Sequence, residues 1–180
     1  MHRRILVYGV TGSGKSVAAA AIAERTGLPL TLVDELTWLP GWVPVDEGVQ
    51  RARFAEIAAG DAWVLDTAYG AWLDVALRRA ELVVGLDYPR WLSLQRLVRR
   101  TALRMIDRRP ICNGNTESLR STLSRDSIIA WHFRSFTRKR ARMRAWAASS
   151  PGPDVLLFSR PRDLDAWLDG LRHASGRDTE

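Results

Sequence analysis

Hydrophobic residues in this chain gather into short runs, and longer stretches of helical character separate one run from the next. The runs predict strands at residues 5–8, 30–33, 63–65, 82–86 and 154–158. The stretches between them predict helices at residues 15–25, 47–59, 72–79, from 89 onwards, 119–148 and 161–172. Strands that alternate with helices in this way are typical of a parallel sheet covered by helices on both faces.

The loop between the first predicted strand and helix reads Gly-Val-Thr-Gly-Ser-Gly-Lys-Ser at residues 9–16. It matches the phosphate-binding pattern G-x-x-x-x-G-K-[ST] at every fixed position, in the strand–loop–helix context that the pattern requires. Lys15 is expected to reach the β and γ phosphates of a nucleoside triphosphate, and the Ser16 hydroxyl to ligate Mg²⁺. The absence of an Asn-Lys-x-Asp sequence favours ATP over GTP. The expected nucleotide contacts in this loop are Gly9, Thr11, Gly12, Ser13, Gly14, Lys15 and Ser16.

Three acidic residues, Asp34, Asp66 and Asp87, directly follow predicted strands. The carboxyl ends of parallel strands converge on one ligand crevice, so each of the three is a candidate for the acid that phosphoryl transfer needs near Mg²⁺. The alternative for each is a helix cap or a turn residue. Asp34 is also a candidate partner or base for the acceptor hydroxyl, and the choice of base between Asp34 and Asp66 stays open.

Positive charge is concentrated in one segment of a chain whose net charge is +7: residues 90–144 hold fifteen basic and three acidic residues. Such a segment indicates an anionic partner, either nucleic acid or a phosphorylated small molecule, although an Arg-rich solvated face is the simpler alternative. Within it, a row spaced by four residues on one helix favours a polyanion opposite, such as a triphosphate. The row consists of Arg96, Arg100, Arg104 and Arg108, with Arg99 and Arg109 beside it.

Composition narrows the class of protein further. A hydrophobic content of 46% excludes a largely disordered chain, and the single cysteine, Cys112, excludes a disulfide framework or a Cys-rich zinc site. No apolar run approaches the ~18–20 residues that cross a bilayer. We therefore expect a cytoplasmic protein with one domain over residues 1–173 and a frayed tail at 174–180.

Beyond the phosphate loop, the sequence resembles the adenylate-kinase-related proteins often called topology-modulation proteins. The resemblance rests on the stretches 33–38, 40–42, 63–66 and 86–90, and Asp-x-Leu-x-Trp-x-Pro-Gly-Trp at 34–42 is its specific part. It implies a P-loop NTPase three-layer sandwich of the nucleoside-monophosphate-kinase type, with a five-stranded parallel sheet in the order 2-3-1-4-5. It also implies an acceptor-binding insertion at about 34–60 and an Arg-rich lid at about 104–120.

The same resemblance implies roles for individual residues. Asp66 would help to hold the water shell of Mg²⁺, Arg96 would lie by the adenine and triphosphate, and Arg100 would contact phosphate. Arg160, in the loop after the fifth strand, would pack beside the adenine. The sequence departs from the family after the third strand (66–69) and in the lid (109–114), which leaves the acceptor unassigned.

Aromatic residues near Asp34 and Asp66 are candidates for the acceptor pocket. Trp38 and Trp42 either wall that pocket, since a flat ring stacks on a base or sugar, or pack beneath a loop as core residues. Tyr69 is a further candidate.

These observations predict an ATP- and Mg²⁺-dependent, adenylate-kinase-like phosphotransferase that acts on a small, nucleotide-like acceptor. The alternative is a non-catalytic ATP-binding regulator that contacts DNA through the basic residues of the long helix, 134–144. In the kinase interpretation, Arg134 or Arg138 of that helix leans over the triphosphate instead.

Overall fold

The chain forms an α/β fold in a computed structural model that describes residues 2–67, 72–107, 113–115 and 128–175. The strands are β1 Arg4–Gly9, β2 Leu30–Leu32, β3 Trp38–Leu39, β4 Val43–Pro44, β5 Trp63–Thr67, β6 Leu82–Leu86 and β7 Asp154–Phe158. The helices are α1 Lys15–Thr26, α2 Val33–Thr37, α3 Glu47–Ala59, α4 Leu73–Leu77, α5 Arg90–Asp107, α6 Ile128–Ala147 and α7 Pro161–Ser175. A short 3₁₀ turn, Pro40–Trp42, joins β3 to β4.

Five parallel strands form the main sheet in the order β2-β5-β1-β6-β7. In chain numbering this differs from the predicted 2-3-1-4-5, because the antiparallel pair β3-β4 was not predicted and shifts the strand numbers. Each strand of the main sheet nevertheless has the neighbours that the prediction gave it. The phosphate-binding loop therefore follows the central strand, with the ends of β5 and β6 on either side.

The sheet separates two apolar cores because successive strand residues point to opposite faces. Val7 of β1 packs on one face with Ile22 of α1 and Leu168 of α7. Leu6 packs on the other face with Phe54 of α3 and with Met143 of α6. Full burial of each such side chain stabilises the fold by about 1.5–3 kcal/mol. The helices α3, α4 and α6 thus share one face of the sheet, opposite α1 and α7.

Some predicted boundaries need correction or fall outside the described residues. α7 continues to Ser175, so the expected domain boundary at 173 falls inside a helix. α5 continues to Asp107, so the first residues of the expected lid are helical. Tyr69, Arg108 and Arg109 lie outside the described residues, as does most of the rest of the expected lid. In the part of the chain that is described, no helix is both long enough and apolar enough to span a bilayer.

Candidate active site

The loop between β1 and α1 is closely curled, and glycine is required at its turns. Gly12 and Gly14 have φ angles of +81° and +95°, which L side chains rarely adopt. A Cβ atom at Gly9 would lie 2.6 Å from Ser13 Oγ. No side chain caps the N-terminus of α1, so its first N–H groups, which have no partner within the helix, are open to an anion.

Lys15 and Ser16 meet Asp66 where β5 ends beside this loop. The Ser16 hydroxyl donates to Asp66 Oδ2, and the Val33 N–H donates to Asp66 Oδ1 at 2.9 Å. Lys15 Nζ donates to the Val10 carbonyl at 3.2 Å. Burial raises the pKa of Asp66, although the bonds from Ser16 and Val33 oppose the rise. Burial lowers the pKa of Lys15, and the carboxylates of Asp66 and Asp34 oppose that fall.

The pair Ser16–Asp66 fits a magnesium site. Mg²⁺ prefers hard oxygen ligands, and beside a phosphate it typically takes one or two carboxylates and keeps several waters. The hydrogen bond between the two side chains brings a hydroxyl and a carboxylate oxygen together at the start of α1. These two residues, which the sequence predicted as the metal site, have the donor chemistry that the ion requires.

Helix α5 brings arginines to the opposite side of the loop. Arg96 Nη1 donates to the Ser13 carbonyl at 3.0 Å, and its guanidinium lies 5.3 Å from the Tyr88 ring centroid. The charge of Arg100 contributes to lowering the pKa of Lys15, so Arg100 also acts on the loop. A cavity of about 370 Å³ continues from Arg96 along the helix; it is lined by Arg96, Arg99, Arg100, Leu103, Arg104 and Asp107. Arg96 and Arg100 are thus brought to the phosphate-binding loop.

Arg160 is exposed just after β7, and its carbonyl accepts a hydrogen bond from Asp163 N–H in the first turn of α7. Its expected place beside an adenine stays a prediction.

The expected acceptor side contains an aromatic pair, in which Trp38 is half-buried and Trp42 is exposed. Trp38 and Trp42 meet edge to face, with centroids 5.7 Å apart, and Trp42 is 38% exposed. Among the described residues, neither ring belongs to the two buried apolar clusters of the sheet. Asp34, in α2, is exposed next to them and acts electrostatically on Lys15. The acceptor candidates other than Tyr69 therefore lie on one segment, 34–42.

Two asparagines that were not predicted as site residues fasten this segment. Asn113 Nδ2 donates to the Glu35 and Trp38 carbonyls, at 2.9 and 2.7 Å. Asn115 Nδ2 donates to the Leu39 carbonyl at 3.0 Å, and its Oδ1 accepts from the Trp42 N–H at 2.8 Å. These residues come from the expected lid, which therefore touches the acceptor segment.

Asp87, the third acid at a strand end, has a structural role. Its carboxylate is 8% exposed, and it accepts hydrogen bonds from Arg140 and, at 2.7 and 2.8 Å, from Arg144. These bonds fasten α6 to the end of β6. Because two arginines already neutralise Asp87, the structure favours this anchoring role over a role as the magnesium acid. The same bonds occupy two of the six cations in the basic stretch 134–144.

Two polar residues of α6 are buried, and the sequence did not predict either of them as a site residue of the kinase. His132 is fully buried and donates from Nδ1 to the Thr11 carbonyl at 2.9 Å, and burial lowers its pKa, which keeps the imidazole neutral. Lys139 is 5% exposed, and its Nζ lies 5.6 Å from the Trp131 ring centroid. Both share the helix face of Phe136 and Met143, and polar residues on an otherwise apolar stripe were the available signal. Trp131 itself is 42% exposed.

Comparison of the fold with solved structures identifies its class. A shikimate kinase from Acinetobacter baumannii in complex with shikimate is 19% identical, with 99% of this chain and 96% of that chain covered and a TM-score of 0.58. The chain has the fold of the P-loop kinases. A gluconokinase from Sinorhizobium meliloti 1021 is 18% identical, with 99% and 98% covered and a TM-score of 0.53. A shikimate kinase from Bacteroides thetaiotaomicron is 13% identical, with 98% and 99% covered and a TM-score of 0.56.

These likenesses show the fold alone. Neither a protein-family model nor a curated protein sequence matches this chain. The resemblance to topology-modulation proteins therefore stays a prediction.

Proposed function

We propose that this protein is an ATP- and Mg²⁺-dependent phosphotransferase that moves the γ-phosphoryl group to a hydroxyl of a small, nucleotide-like acceptor. A P-loop fold alone does not identify a kinase, so the proposal rests on the site. The observation that carries it is the meeting of two cations from different helices at the phosphate loop, where Lys15 donates to the Val10 carbonyl and Arg96 to the Ser13 carbonyl. The solved P-loop kinases of similar fold, named for shikimate and gluconate, favour a hydroxylated acceptor.

Catalysis in this proposal is positioning and charge neutralisation. The N–H groups at the start of α1 and the side chain of Lys15 bind the phosphates, and Arg96 and Arg100 neutralise negative charge from the α5 side. Ser16 and Asp66 would hold Mg²⁺, which when bound neutralises charge on the β and γ phosphate oxygens.

The acceptor hydroxyl is assigned to Asp34. Both oxygens of Asp66 already accept hydrogen bonds, from Ser16 and Val33, and Asp66 is buried. Asp34 is exposed on the segment that carries Trp38 and Trp42, where a flat acceptor would meet an aromatic ring. Asp34 would accept the hydroxyl proton as the oxygen attacks, with the two tryptophans as the pocket wall.

The direct test is acceptor-dependent formation of ADP. Purified protein with Mg²⁺ and ATP is screened against nucleosides, nucleotides, hydroxy acids and sugars, and the phosphorylated product is identified by mass spectrometry. We expect Lys15→Met to lower kcat by at least about 10²–10³-fold, the loss typical when one preorganised charge is removed. Arg3→Met is the matched control, because it removes one exposed cation just before β1, at the end of that strand opposite to the phosphate loop. A Lys15→Met protein that turns over ATP at the wild-type rate, or ADP formation with no acceptor phosphorylated, would contradict the proposal.

The structure gives less support to the alternative of a DNA-contacting regulator. Within the stretch 134–144, Arg140 and Arg144 bind Asp87, and Lys139 is buried. Half of the six cations that the alternative needs are therefore engaged inside the fold. Duplex binding that falls steeply with salt and is abolished by Arg134→Met and Arg138→Met would reverse this preference.

A further inference from the structure

Lys139 is a buried cation without a bonded counter-ion. Its side chain is 5% exposed. Among the described residues no carboxylate or carbonyl accepts a hydrogen bond from its Nζ, and its polar end lies against the Trp131 ring. Buried lysines are rare unless paired, because removing an ammonium group from water costs several kcal/mol. Among the described residues none supplies a carboxylate bonded to this ammonium group, so a bound anion would stabilise its charged form.

The charges around Lys139 make its protonated form still less favourable. Three cations repel its charged form, namely Lys15 at the start of α1 and Arg138 and Arg142 on α6, and in the described part of the chain Asp34 on α2 is the acid that acts on it. Burial, followed by the three cations, lowers the pKa of Lys139 to about 7, and Asp34 opposes that fall. The described charges that act on Nζ are thus three cations and one acid, and an incoming anion would offset this excess of positive charge.

The position of Lys139 on α6 indicates which ligand supplies that anion. Met143, one turn further along the helix, packs into the core on the face of the sheet that carries α3 and α4. His132, two turns back, bonds to the Thr11 carbonyl of the phosphate loop. Lys139 therefore lies between the two, close enough to Lys15 and Asp34 to feel their charges. The arginines that serve the nucleotide come instead from α5.

We propose that Lys139 binds an anionic group, a carboxylate or a phosphate, that belongs to the phosphoryl acceptor itself. The inference rests on the proposed function, because it assigns a chemical class to the acceptor: a small hydroxy compound that also carries an anion. Lys139 would hold the anion while Asp34 meets the hydroxyl, so the two residues would fix both ends of the acceptor. The Trp131 ring lies 5.6 Å from Nζ, where a cation–π contact stabilises the Lys139 ammonium group.

The composition of the chain makes this testable by NMR. The sequence contains two lysines, Lys15 and Lys139, so lysine labelled with ¹³C at Cε gives two side-chain signals. The Lys139 signal is assigned by its loss in Lys139→Arg. With the phosphate loop saturated by Mg²⁺ and a non-hydrolysable ATP analogue, the protein is titrated with inorganic phosphate. The matched pairs AMP and adenosine, and shikimate and its methyl ester, follow and distinguish a phosphate from a carboxylate.

We expect an anion to raise the titration midpoint of Lys139 by about one pH unit or more, because tenfold tighter binding to the charged form corresponds to one unit. The neutral member of each pair should leave the midpoint unchanged. The inference would be overturned if no anion at millimolar concentration changed the titration midpoint of Lys139. It would also be overturned if the neutral member of each pair changed the midpoint as much as the anionic member does.

Binding to variants gives a second, independent measurement. Lys139→Met should lower the affinity for the anionic member of the preferred pair about 10- to 100-fold, as expected for the loss of a charged hydrogen bond. The same variant should leave the affinity for the ATP analogue unchanged. Lys139→Arg should restore part of the loss, and Arg3→Met should match the wild type. If acceptors are phosphorylated but Lys139→Met keeps the wild-type KM for them, the inference falls and the proposed function stands. If Lys139 responds to anions while no acceptor is phosphorylated, the anion site stands and the proposed function falls.

Discussion

Replacing Gly12 by alanine tests how closely α5 approaches the phosphate loop. A Cβ atom at this position would lie 2.3 Å from the Ser93 carbonyl oxygen and 2.9 Å from Leu97 Cβ, both on α5. The first contact is with backbone, so a flexible side chain cannot relieve it. The backbone at Gly12 also has a φ of +81°, which is unfavourable for alanine.

Gly27→Ala separates the two effects. Gly27 has a similar φ of +70° at the end of α1, but nothing lies within 4 Å of its added Cβ. We expect Gly27→Ala to lower the free energy of unfolding by about 1–2 kcal/mol, the cost of a left-handed conformation. Gly12→Ala should lower it by a further ~1–3 kcal/mol, the usual cost of overpacking, because α5 has to move away.

The two variants are compared by urea unfolding and by titration with a fluorescent ATP analogue. Moving α5 displaces Arg96 from the Ser13 carbonyl, so Gly12→Ala should also lose affinity for the nucleotide, whereas Gly27→Ala should keep it. Equal stability losses, together with equal nucleotide affinity, would refute the close contact between the loop and α5.

Two further predictions concern charges on α6. Asp87→Asn should lower the free energy of unfolding by about 1–3 kcal/mol, less than the 3–5 kcal/mol of a fully buried pair, because its arginine partners are 32% and 54% exposed. The control is Asp74→Asn, because Asp74 also pairs with two arginines, Arg51 and Arg78, but on the surface. A loss of unfolding free energy in urea as large for Asp74→Asn as for Asp87→Asn would contradict the anchoring role of Asp87. The pKa of Lys139 is about 7 in the folded protein, against 10.5 for a lysine in an unfolded chain. Between these two values the side chain of Lys139 is protonated in the unfolded chain and largely neutral in the folded protein. The free energy of unfolding should therefore rise with pH from about 7 to 10, by up to ~1.4 kcal/mol per pH unit relative to Lys139→Met, and equal slopes would contradict it.

Local patterns explain why the main sheet and the phosphate loop could be predicted. A run such as Leu82–Leu86 is buried on both faces, so its strand is visible in the sequence without knowledge of its partners. The pair β3-β4 is different, since each strand has two residues and its geometry depends on Asn113 and Asn115, more than seventy residues away. The sequence around Trp38 does not predict these two distant hydrogen-bond partners.

The basic stretch of α6 shows why counting charges could not assign its function. Arg140 and Arg144 lie one turn apart and both meet Asp87, which follows a strand more than fifty residues earlier. Lys139, next to Arg140 in sequence, points elsewhere because adjacent helical residues are about 100° apart. The sequence presents six similar cations, and only the packing of α6 divides them between anchoring and binding.

That division also explains how Lys139 is held ready for a ligand. His132 fastens the first half of α6 to the phosphate loop, and the Asp87 bonds fasten the second half to the sheet. Lys139 lies between these anchors on a rigid helix, so little conformational entropy remains to be lost when an anion binds. The same anchors keep its distance from Lys15 nearly fixed, so the two cations repel each other whenever Lys139 is protonated and no anion is bound. In the proposed kinase, the acceptor's negative charge would relieve that repulsion at the place where the γ-phosphoryl group is to be received.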